Sequence, residues 1–257
     1  MNQLSSTLLA LALWAGASSV SAATVRVDFD ASIFNGAGSG VARLTYPGAG
    51  GSGSASVTAN AGRFQGTASA LSGVDAGVFA DSLSDLYMYC YDLYEHIWGG
   101  AQVTYTVQLE GGTARTLDFL GSVNTVLSAG SATYNPYAWL SPVNAAQSAA
   151  IQIGIWESLY DTGWSVSGGS FQASGFSAAT GNWLQQFFGS VASSDALDGR
   201  YVMTLEAKGY QDMITGQRSP VPSTLRVAEV PEPGSLALLG LGLVGLAAVR
   251  RRRAAAA

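Results

Sequence analysis

The stretch AAIQIGIWESLYDTG (residues 149–163) carries apolar residues at helical intervals around one uncharged amide. Residues four apart share a helical face, so Ser148, Gln152, Trp156 and Tyr160 form one stripe, with Ile151, Ile155 and Leu159 beside it. Both stripes read as partly buried. A buried carboxamide without partners costs about 1–3 kcal/mol. Gln152 is therefore either fully hydrogen-bonded, or its carbonyl carbon is put to chemical use.

Working outward, Ser141-Pro142 supplies an N-cap followed by proline at the first helical position, which predicts a helix from there through Tyr160 to a stop near Gly163. SAATGNWLQQFFGSVA (177–192) predicts a second helix, with Trp183, Phe187 and Phe188 suitably spaced and Gly181 weakening its start. The first half reads as β structure. In ATVRVDFD (23–30), Val25, Val27 and Phe29 alternate with charged residues, the pattern of a half-buried strand. GAGGSGSASVTANAG (48–62) reads as a flexible turn region holding a weak strand around 55–58. AQVTYTVQLEGG (101–112) is a firm strand, and TARTLDFLG (113–121) is expected to pair with it as a hairpin. RYVMTLEAKGY (200–210) returns to strand, and STLRVAEV (223–230) is a last strand or a linker. No internal repeat is visible. The predicted fold class is α+β: a single β-rich domain, sandwich or barrel, over 24–230 with an inserted helical subdomain at about 136–192, plus a C-terminal hydrophobic sorting helix.

The chain has 257 residues, 48% apolar and 11% charged, ample for one core. Eight basic and sixteen acidic residues lie between 24 and 230, a net charge of −8 for the body. No basic stripe appears, which excludes nucleic acid as a partner. Residues 1–22 read as a secretory signal: an apolar run from Leu8 to Ala17, then small residues ending in Val20-Ser21-Ala22, although no Lys or Arg precedes the run. The other end joins Pro231-Glu232-Pro233, an apolar segment from Gly234 to Val249, and the block Arg250, Arg251, Arg252 and Arg253. Sixteen helical residues span about 24 Å, short of a ~30 Å hydrocarbon core by an amount that snorkelling arginines can cover. The arginine block stays cytoplasmic by the positive-inside rule, which puts the body across the inner membrane.

This three-part tail, residues 231–253, resembles the PEP-CTERM sorting signal of Gram-negative bacteria that make exopolysaccharide. The resemblance implies recognition by an exosortase-type processing enzyme and cleavage near Pro-Glu-Pro. It also implies transient anchoring in the inner membrane through 234–249, then delivery to the outer cell surface or extracellular matrix.

Cys90 is the single cysteine, so an intramolecular disulfide is impossible. It sits among Tyr87, Tyr89 and Tyr91. One Cys and one His are too few for a closed zinc site, so no metal is expected. A cysteine hydrolase would need His96, six residues on, as its base, whereas such partners usually come from distant segments. No G-x-S-x-G elbow occurs. The pairs Asp28 with Asp30 and Glu157 with Asp161 read as solvated charge rather than a flanking acid and base. An inert buried thiol and an intermolecular disulfide remain open. So does a bond to another residue: a thiolate attacking a glutamine carboxamide expels ammonia and leaves an internal thioester. Such an electrophile survives only where water is excluded, and rings from Tyr87, Tyr89, Tyr91 and Trp156 suit a dry pocket.

Tyr89-Cys90-Tyr91-Asp92 and Ile151-Gln152-Ile153-Gly154-Ile155-Trp156 resemble, in that order, the two signatures of the thioester domain of Gram-positive surface adhesins. The departure is Gly154 where the pattern has alanine, at a cost of about 1 kcal/mol in helix propensity. The resemblance implies a β-sandwich or barrel with a helical subdomain, Cys90 as thiol, Gln152 as acyl donor, and Asp92 and Trp156 shaping the site. It implies covalent attachment to an amine of a surface or matrix protein, or to a hydroxyl of the exopolysaccharide, with no cofactor. A single-use bond is not turnover, so no enzyme and no catalytic residue is expected. Lys208, the one lysine, leaves little internal amine to react. The alternatives are a non-covalent structural or interaction protein of the same matrix with Cys90 as a buried free thiol, and, more distantly, a secreted hydrolase.

Overall fold

Strand alternation builds a closed antiparallel barrel in the computed structural model, which describes residues 22–51 and 53–219. Strand β1 (Thr24–Phe29) buries Val25, Val27 and Phe29, as the sequence pattern predicts. The other barrel strands are β4 (Phe64–Ser72), β5 (Leu86–Cys90), β6 (Gln102–Leu109), β8 (Val202–Glu206) and β9 (Met213–Gly216). They close in the order β1-β4-β5-β9-β8-β6. A second sheet places β2 (Ser39–Pro47) between β3 (Ser54–Gly62) and β7 (Gln172–Ser174). The signal segment before Ala22, STLRVAEV and the whole sorting tail lie outside the described residues. Among the described residues no helix is long and apolar enough to cross a membrane.

Two sequence expectations need correction. TARTLDFLG is no strand: it opens helix α1 (Ala114–Leu127), capped by Thr113, whose hydroxyl accepts the N–H of Thr116 at 3.1 Å. Phe119, Leu120 and Val123 make its buried face, and β6 pairs with β1 and β8 instead. The helical part therefore starts at 114 rather than 136. The weak strand at 55–58 is the nine-residue β3, paired with β2 along its whole length.

Helix α2 (Ala145–Tyr160) ends where expected but starts later than Pro142. Asn144 is the cap: its Oδ1 accepts the Gln147 N–H at 3.0 Å, while Gln147 Oε1 accepts the Val143 N–H at 2.8 Å. Helix α3 (Ala178–Ser190) lies within the stretch predicted to be helical, behind the cap Ser177. The departure at Gly154 has a packing reason, because a Cβ there would collide with the ring of Phe119 on α1. That ring is held by Trp164 and Phe187 at centroid distances of 6.1 and 6.2 Å and cannot step aside freely.

One register detail positions the site. Strand β3 passes through Arg63 directly into β4, whose pairing with β5 begins at Phe64↔Met88. Continued by two residues, that register would set Gly62 opposite Cys90, but the chain has already bent away into the second sheet. Cys90 is left without a strand on its β4 side. Gly154→Ala is expected to destabilise the fold by about 1–2 kcal/mol, overpacking against Phe119 outweighing the gain in helix propensity, read as a lower urea midpoint with unchanged m.

Candidate functional site

Helix α2 fills the gap left by β4. Gln152 Oε1 accepts the N–H of Cys90 at 2.9 Å, and Gln152 Nε2 donates to the carbonyl of Cys90 at 2.9 Å. The carboxamide thus supplies the acceptor and the donor that one residue of a missing strand would supply. The rest of its stripe does the same for neighbouring backbone. Ser148 Oγ accepts the Arg63 N–H at 2.7 Å, Trp156 Nε1 donates to the Asp92 carbonyl at 3.1 Å, and the Tyr160 hydroxyl accepts the Leu93 N–H at 3.0 Å. The polar stripe legible in the sequence is the seam between helix and barrel.

Gln152 is fully buried and Cys90 is 3% exposed. Cys90 and Trp156 line a cleft of about 350 Å³, with Phe34, Phe64, Leu93 and Ile97 among its apolar walls. Burial pushes the Cys90 thiol well up, and the carboxylate of Asp92 adds to it. Asp92 ties the loop after β5 together. Its Oδ1 accepts the N–H groups of Tyr94 and Glu95 at 2.8 and 3.1 Å, and its Oδ2 accepts the Asp212 N–H at 2.6 Å. Burial still holds the Asp92 carboxyl above its usual range, outweighing those donors.

The tyrosines do not wall the cleft. Side chains alternate along β5, so Leu86, Met88 and Cys90 share one face and Tyr87, Tyr89 and Tyr91 take the other. Tyr89 donates to the Trp139 carbonyl at 3.2 Å. The Tyr91 hydroxyl accepts the Thr113 N–H at 2.8 Å, beside α1. Tyr87 lies under the Arg63 guanidinium, 3.7 Å from its ring centroid. Of the four rings expected around the thiol, Trp156 alone lines the cleft. The replacements come from the 33–34 loop, the start of β4 and the 93–97 loop, segments that no local pattern joins. His96 lies on the same cleft as Cys90 and is exposed.

Carboxylate oxygens of Asp92, Glu95 and Asp212 lie within 4.8 Å of one another. Each residue already accepts a backbone N–H, Glu95 from Gly209 and Asp212 from Ala207, so the trio closes loops. Glu157 is not the solvated charge its position suggested. It is fully buried, with Oε1 accepting the Ser165 N–H at 3.0 Å and no hydrogen bond at Oε2 among the described residues. Burial pushes its carboxyl up to about 7, against the Ser165 N–H and the Arg115 guanidinium and with the help of Asp161.

Comparison with protein families matches residues 229–253 to the PEP-CTERM protein-sorting motif. The motif marks the chain for recognition by an exosortase and for export through membrane-anchored processing to the cell surface. Neither the curated proteins nor the solved structures give a match.

Because the folded carboxyl of Glu157 binds its proton up to about pH 7 and the unfolded one only to about 4.5, the folded state holds the extra proton between those values. Its contribution to stability is therefore present below about pH 4.5 and is lost as pH rises to 7. Asp81 and Asp212, both pushed by burial to about 6, act in the same direction. Glu157→Gln is expected to be more stable than wild type at about pH 8 and to lose that advantage at about pH 4, measured by urea unfolding at both.

Proposed function

We propose that this exported surface protein binds a partner covalently through an internal thioester between Cys90 and Gln152. The supporting observation is the double hydrogen bond between the Gln152 carboxamide and the backbone of Cys90. The Cys90 N–H is aimed at the oxygen on which negative charge develops when the thiol sulfur attacks Cδ, an oxyanion-hole arrangement. The Cys90 carbonyl holds the nitrogen that departs. In the first step the Sγ–Cδ bond forms, the Cδ–N bond breaks, and ammonia leaves with the thiol proton. In the second, an amine of the partner attacks Cδ, the C–S bond breaks, the sulfur takes up a proton and Gln152 becomes a secondary amide.

Burial keeps the Cys90 sulfur as the neutral thiol, so the proton that leaves with ammonia is on the sulfur at the start. Asp92 and Trp156 set the geometry by joining the loop after β5 to α2. The bond is made once, so the protein acts by capture rather than turnover. Amine or hydroxyl partners on surface or matrix molecules both suit the chemistry. A second reading, a non-covalent matrix protein, is favoured by the same two hydrogen bonds, because they also satisfy an unreacted carboxamide.

Intact mass separates the two. Wild type is expected to be one ammonia lighter than its sequence mass, with the deficit gone in Cys90→Ala, in Gln152→Ala and after methylamine. A wild type of full mass with a titratable thiol overturns the covalent reading.

A further inference from the structure

We propose that the cleft at Cys90 receives an extended polypeptide segment as an added strand on the free edge of β3, with a lysine side chain directed toward Gln152. For the bond this rests on the thioester reading; for the docking it stands on the geometry of β3. The cleft is lined by four consecutive residues of that strand, Val57, Thr58, Ala59 and Asn60. A cleft against a sheet face would meet alternate residues, so it is the edge of β3 that borders it.

That edge is open. Among the described residues β3 pairs with β2 alone. The Gly48 N–H bonds to the Gly53 carbonyl at 3.0 Å, which sets the phase of the antiparallel ladder. Counting from it, Val57 and Ala59 bond to β2, while Thr58 and Asn60 turn their N–H and C=O groups outward. Exposed edges are normally blunted by proline, charge or a bulge. The sequence SASVTANAG has neither proline nor charge, and its pairing with β2 runs without a register shift. Strand addition uses such an edge for main-chain affinity and adjacent apolar pockets for alternate side chains, a part that Phe34, Leu93 and Ile97 can play here.

Charge selects the cargo. Glu95 lines the cleft with no lysine or arginine among the lining residues, and oxygens of Asp92 and Asp212 lie within 4.8 Å of its own. An ammonium group complements this corner, and the net −8 of the body steers cations toward it. The occupant is therefore a lysine-bearing extended peptide rather than a neutral glycan.

The test uses the full-length protein carrying Cys90→Ala, which cannot form a thioester, so docking is read without the bond. The probe is a labelled Val/Thr peptide of about ten residues with one central lysine, beside a copy with norleucine in that position. The lysine peptide is expected to bind, and Thr58→Pro to weaken it by about five- to tenfold, because proline removes an outward N–H without touching the β2 ladder. Thr58→Ala is expected to leave binding unchanged. Glu95→Gln is expected to weaken the lysine peptide several-fold and to spare the norleucine copy, a comparison that holds even if the proline variant melts. Equal binding with and without Thr58→Pro overturns the proposal. So does no peptide binding where matrix glycan fragments bind. Methylamine uptake by wild type is measured separately, since a small amine needs no strand edge: its failure removes the thioester and leaves the docking result standing on its own.

Discussion

The structure depends on one substitution of bonding partners: a glutamine side chain takes the place of a β-strand. Where β4 leaves the barrel at Phe64, Cys90 is the residue whose backbone loses its neighbour, and the Gln152 carboxamide restores both hydrogen bonds. Burying that N–H and C=O unpaired would cost several kcal/mol in total. Helix, barrel and second sheet are joined by the same device repeated along α2. Ser148 holds the bend at Arg63, and Trp156 and Tyr160 hold the loop after β5. The apolar residues between them supply the burial, and the polar stripe fixes the register.

In the proposed function the same contact carries the chemistry. Cys90 terminates a strand, and the side chain that completes the strand is the one carbonyl that its thiol is proposed to attack. In that proposal, attack and departure are governed by the N–H and the C=O of one residue, Cys90. The cleft then supplies what the seam lacks, an opening to solvent beside a buried thiol. The sorting motif at 229–253 gives the body an exported context.

Much of this was legible. The alternation of Val25, Val27 and Phe29 and the bodies of helices α2 and α3 follow from local pattern, although α2 is capped by Asn144 rather than Ser141. Helix α1 was hidden because TARTLDFLG alone is too short to separate helical from strand spacing. The cap at Thr113 gains meaning only with the buried Val123 three turns on. Strand β3 showed only as a weak strand at 55–58, because its small side chains offer no apolar contrast. Cys90, Gln152, Asp92 and Trp156 were singled out from sequence because each lies in a short motif, and the fold brings them together. The cleft walls were not, because they come from separate segments. The tyrosines beside Cys90 misled by proximity, since neighbours on a strand face opposite ways.

The order of strands has a mechanical meaning as well. Strand β9 is the last in the barrel, and the chain leaves it toward the sorting tail. Tension arriving from that direction meets Arg218 and Gln217, whose N–H groups bond to Val78 and Tyr201, and then β9, whose neighbours on either side are β5 and β8. Strand β5 ends at Cys90. A load between the tail and a partner held at Gln152 would therefore cross one pair of adjacent strands, Cys90↔Met213 to Met88↔Thr215, and the seam to α2. In the proposed covalent state, most of the barrel would lie outside that path.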